Sequence, residues 1–116
     1  MGDMLKTFVE NFLIENECPV DYIGFQILSA VLCEACSNLG EVKTNLKSIY
    51  IAAGQKLHMS RLSIERDLRT LIGKWSPSKK FQELFPETPT NAKLVMTLAY
   101  KVQRPNSSVY DIYLLP

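Results

Sequence analysis

The chain has 116 residues, 47% hydrophobic and 22% charged, which fits one globular domain with a single core and excludes a disordered polyelectrolyte. Its net charge of +1 gives no overall attraction to a polyanion. No apolar run approaches the roughly 18 residues of a membrane span, and no pattern of basic start, apolar middle and small-residue cleavage site marks a secretory signal.

The charge is unevenly placed. Residues 1–42 carry one basic side chain, Lys6, against seven acids, a net of −6; residues 55–80 carry seven basic side chains against Glu65 and Asp67, a net of +5. Such asymmetry predicts a polyanion-facing patch in the second stretch, the alternative being a chance fluctuation among solvated faces. The odd cysteine count (Cys18, Cys33, Cys36) beside an adequate core predicts free thiols in a reducing cytoplasm.

In chain order, Asp3 is positioned to cap a first helix over residues 4–15, with Leu5, Phe8, Val9, Phe12 and Leu13 as its apolar stripe. Cys18-Pro19 ends it, because the residue before proline avoids the helical region. A second helix runs from Tyr22 or Gly24 to Ser37 and buries Ile27, Leu28, Val31, Leu32 and Ala35, with Gly40 as a left-handed cap beyond it. Cys33 and Cys36 lie one turn apart, but two thiols do not complete a tetrahedral metal site and the only histidine, His58, is elsewhere. They read as small buried or half-buried helix residues.

Thr44 or Asn45 caps a third helix over residues 46–57, with Leu46, Ile49, Tyr50, Ala53 and Leu57 inward. Gly54 in mid-helix costs ~1 kcal/mol relative to alanine, a cost expected where two helix backbones must cross closely. His58-Met59-Ser60 forms a turn, and Ser60 caps a fourth helix over residues 61–74. Ile64, Leu68, Leu71, Ile72 and Trp75 form its core stripe, whereas Arg61, Leu62, Glu65, Arg66 and Arg69 point outward. A small residue at 54, apolar residues at 57 and 59 and an aliphatic anchor at 64 match a helix-turn-helix, although any helical hairpin asks for similar residues. Ser76–Lys80 is a loop or a helix start, followed by one or two helical turns holding Phe81, Leu84 and Phe85. Thr90 or Asn91 caps a last helix to Val102 or Gln103, with Leu94, Val95, Leu98 and Val102 apolar; Pro105 ends it, and residues 108–116 form an apolar extended or strand-like tail.

Three stretches, CPVDYIGFQIL (residues 18–28), residues 50–69 with Ile64-Glu65-Arg66 and Arg69, and PTNAKLVMTLAYKV (residues 89–102), resemble in order and spacing the C-terminal DNA-binding effector domain of the stage-zero sporulation protein A response regulators. The resemblance covers residues 18–103. It implies an all-α bundle of about six helices around a helix-turn-helix, in the winged-helix-like and response-regulator effector class, over residues 1–105, with residues 106–116 as a tail. It also implies binding to double-stranded promoter boxes as a homodimer or tandem copies, communication with RNA polymerase, and no cofactor or metal. Two departures stand out. Ser63 occupies the place of a family arginine. The receiver domain has no room in 116 residues, which suggests an excised domain or a stand-alone paralogue.

The expected base-reading residues are Leu62, Glu65, Arg66 and Arg69. Arginine can make a bidentate contact to guanine, glutamate can accept from cytosine N4, and an apolar side chain can meet a thymine methyl. Lys56, His58, Ser60, Arg61, Lys79 and Lys80 are expected at phosphates. The alternative is an interaction module on the same fold, with DNA recognition weakened at Ser63 and the apolar tail as a dimer contact. One histidine, no glycine-rich phosphate loop and no nucleophile motif argue against an enzyme.

Overall fold

The computed structural model describes residues 2–37 and 45–103. They form six helices: α1 (Gly2–Glu15), α2 (Ile23–Ser37), α3 (Leu46–Leu57), α4 (Arg61–Trp75), α5 (Lys79–Leu84) and α6 (Asn91–Gln103). No strand occurs among the described residues, so no β-wing accompanies the helices there. The expected caps at Gly40 and Thr44 and the tail at residues 106–116 lie outside the described residues.

α2 is the hub, packed against α1, α3, α4 and α6. Its predicted stripe of Ile27, Leu28, Val31, Leu32 and Ala35 is fully buried, and Phe25 joins it near the helix start. A helix apolar over so much of its circumference has to be surrounded. Gly24 makes one of these contacts: a Cβ there would lie 2.8 Å from Leu71 Cβ and 3.2 Å from the Asp67 carbonyl, so α2 and α4 meet closely only because position 24 has no side chain.

α1 begins at Gly2, which places Asp3 within the helix rather than at its cap. Of its stripe, Val9 and Leu13 are fully buried, Leu5 and Phe12 are half-buried and Phe8 is exposed. The helix closes on a left-handed Glu17 (φ 66°), with Glu17 N–H donating to the Ile14 carbonyl at 3.0 Å and Cys18 N–H to the Leu13 carbonyl at 2.9 Å. That is a Schellman closure with glutamate where glycine is usual, and buried Cys18 and Leu13 supply its apolar contact. The Glu17 carboxylate accepts from Ser78 Oγ at 2.7 Å, linking the end of α1 to the start of α5. Nearby, the fully buried Trp75 donates its indole N–H to the Asn16 carbonyl at 2.9 Å and stacks at a tilt on Phe81. One exchange therefore satisfies both the polar edge of the tryptophan and the frayed end of α1.

The remaining expected caps are only partly formed. Asn45 precedes α3 without a side-chain cap bond. Ser60 Oγ accepts from Ser63 N–H, Ser78 Oγ from Phe81 N–H and Thr90 Oγ1 from Lys93 N–H, so Thr90 is the residue that caps α6.

Candidate nucleic-acid interface

The α3–turn–α4 hairpin is shaped by three residues. His58 takes the left-handed conformation (φ 57°, ψ 45°) that ends α3. Met59 N–H then donates to the Gly54 carbonyl at 2.8 Å. A Cβ on Gly54 would collide with the Met59 carbonyl oxygen. The close approach that requires glycine is therefore made by the turn itself folding back on α3, and not by the α4 backbone as the sequence suggested. Ile64, fully buried, sits next to the same spot.

α4 buries Ile64, Leu68, Leu71, Ile72 and Trp75, as expected. At 3.6 residues per turn, Leu62, Arg66, Arg69 and Gly73 fall within an arc of about 60° on the opposite side. All four are exposed, Leu62 at 68%. Together these positions form one exposed ridge along the helix. The Arg66 Nε donates to Asp67 Oδ1 at 3.3 Å, and its side chain remains 69% exposed.

Arg61 and Glu65 depart from the outward placement. Both are half-buried on the flank of the ridge and face each other at 3.4 Å. Glu65 and Arg69 border a cleft of about 550 Å³ between α3, α4 and the start of α6, with Tyr50, Pro89 and Asn91 among its walls. Tyr50 is 4% exposed; burial, with the Glu65 carboxylate adding to it, raises its hydroxyl pKa to about 12.

The expected phosphate contacts do not form one patch. His58, Ser60 and Arg61 lie at the N-terminal end of α4, and Lys56 lies in the last turn of α3. Lys79 and Lys80 begin α5, beyond the other end of α4, and are separated from the first group by about 21 Å of helix. Lys56 is ion-paired with Glu34 of α2, and the hydrogen bond to that carboxylate, followed by its charge, raises the lysine pKa. The Ser60 hydroxyl is engaged at both roles, accepting from Ser63 N–H at 3.1 Å and donating to Ser63 Oγ at 3.0 Å. Ser63 thus completes the helix start, a use invisible when it is read only as a missing arginine.

Asn91, a candidate cap by sequence, instead reaches back to α4. Its Nδ2 donates to the backbone carbonyl of Glu65 at 2.8 Å, across 26 positions of sequence. No periodicity or cap rule signals so distant a contact.

Cys33 and Cys36 are half-buried free thiols. Burial raises both, Cys36 to about 11, which is opposite to the shift a thiolate ligand or nucleophile needs. Among the described residues no three histidine, cysteine, aspartate or glutamate side chains gather as a metal site, and no helix is long and apolar enough to cross a membrane. Against known proteins, the chain matches no family model, no curated protein and no solved structure.

Proposed function

We propose that the chain is a sequence-specific DNA-binding transcriptional regulator that places α4 in the major groove. The observation that carries this reading is the exposed ridge of Leu62, Arg66 and Arg69 on the second helix of a tight hairpin. Arg66 and Arg69 supply forked donors for guanine edges or phosphates, and Leu62 supplies a thymine-methyl contact. Glu65, on the flank, accepts from cytosine N4 once Arg61 turns to a phosphate. His58 and Arg61 hold the backbone at one end of α4, and Lys79 and Lys80 hold it at the other. The resemblance to the stage-zero sporulation protein A effector domain supports promoter boxes as targets, bound as a homodimer or tandem copies in the cytoplasm with RNA polymerase nearby.

The test is selection of bound duplexes from a random pool, followed by affinity against salt. A recovered box, with log K falling against log salt by about 0.9 per phosphate contacted, is expected. Recovery of no preferred duplex overturns the reading.

A second reading is a protein-interaction module on the same fold. It is favoured by the high exposure of Leu62 at the N-terminal end of the ridge and by Ser63 serving the helix cap rather than a nucleic acid. Light scattering on the chain with and without residues 106–116 tests its dimeric form, an unchanged molar mass counting against it.

A further inference from the structure

We infer that Asn91 is a positioning residue for α4, setting base preference without touching DNA. The inference rests on the DNA-reading assignment above. The Glu65 carbonyl lies in the interior of α4, where the N–H of Arg69 four residues on is its regular partner. The Asn91 amide, at 2.8 Å, is an additional donor to the second lone pair of that oxygen. It is not needed to satisfy the carbonyl. What it adds is direction, because apolar packing between helices tolerates sliding and rotation whereas a hydrogen bond does not.

The tether is itself held firmly. Asn91 opens α6, directly after buried Pro89 and the Thr90 cap. Thr90 accepts from Lys93 N–H through its hydroxyl at 3.1 Å and from Leu94 N–H through its carbonyl at 2.9 Å. The anchored turn of α4 begins with Glu65 and Arg66 and closes at Arg69, the residues assigned to base reading. A rotation of α4 by ~10° moves a point at its outer radius of ~6 Å by about 1 Å. That is enough to spoil a bidentate contact whose two bonds must each fall at roughly 2.7–3.2 Å.

The experiment compares the full chain with Asn91→Ala, Asn91→Asp and Val102→Ala. Asn91→Asp keeps the volume and favours the start of α6, but it has no amide donor. Val102→Ala removes core packing at the opposite end of the same helix. For both Asn91 variants, discrimination at the base pairs read by Glu65 and Arg66 falls about fivefold, as expected for one lost hydrogen bond. Amide exchange at residues 65–69 also speeds up. Val102→Ala lowers Tm and leaves base preference unchanged. Both Asn91 variants keeping the preference of the unmodified chain within about twofold, or leaving exchange at residues 65–69 unchanged, overturns the inference. If the unmodified chain selects no duplex, the DNA-reading assignment falls and this inference falls with it. If it selects a duplex that both variants select as stringently, only the role of Asn91 falls.

Discussion

A Cβ on Gly54 would occupy the space of the Met59 carbonyl oxygen, so the turn between α3 and α4 closes only over a glycine. Alanine in an exposed helix interior normally stabilises by ~1 kcal/mol relative to glycine. At position 54 the sign reverses, and Gly54→Ala is expected to destabilise by about 1–3 kcal/mol because the turn must shift. Gly73, exposed on α4 with open space where a Cβ would lie, follows the ordinary rule, and Gly73→Ala stabilises by about 0.5–1 kcal/mol. Urea unfolding of the two variants reads the opposite signs directly.

His58 holds a left-handed backbone with a full side chain. His58→Gly relieves that conformation and raises stability by about 0.5–1 kcal/mol, partly offset by the freer unfolded chain. If the imidazole holds a phosphate, the same substitution weakens DNA binding. Thermal unfolding and a binding titration should therefore move in opposite directions; a loss of stability would show that the turn has no strain to relieve.

Cys18 is buried, and its thiol pKa is raised by burial from 9.0 to about 12. A group raised in the folded state contributes stability that is complete below its unfolded pKa and is lost as pH climbs toward the folded one. Tyr50 acts in the same sense, from 10.0 to about 12. Tm is expected to hold up to about pH 9 and then fall through pH 11. Cys18→Ala, whatever its Tm at neutral pH, should show a shallower alkaline fall; an identical slope would remove the thiol as a cause.

Arg66 is exposed on α4 opposite its core stripe, and its partner, Asp67, lies on the same helix. Arg66→Ala is expected to cost about 1–3 kcal/mol of affinity and to relax preference at one base pair. An affinity lost equally across all duplexes would instead mark Arg66 as a phosphate contact.

Much of the fold was legible because it is periodic. The stripes of α2, α4 and α6 recur at helical spacing, and all 14 of the residues they nominate, such as Ile27, Leu68 and Leu98, are buried. Ser60 and Thr90 act as caps because a short hydroxyl side chain before an apolar run satisfies a free N–H locally, and Ser78 does the same in a stretch that reads as a loop or a helix start. The left-handed Glu17 was not legible, since glycine is the usual signal there and a glutamate gives none.

The candidate interface divides along the same line. The amino-acid pattern was enough to say which α4 residues oppose its core stripe, because helical spacing leaves Leu62, Arg66 and Arg69 no inward option. It also determined that position 54 must be small. Tertiary structure alone decided what the small position accommodates, which is the Met59 carbonyl rather than a second helix. Arg61 and Glu65 meet at i, i+4 within α4, a pairing that helical spacing already offers, but tertiary structure alone paired Lys56 with Glu34 and brought the Asn91 amide to the Glu65 carbonyl. The latter contacts depend on how whole helices are set against one another, and packing at that scale leaves no short-range period in the chain.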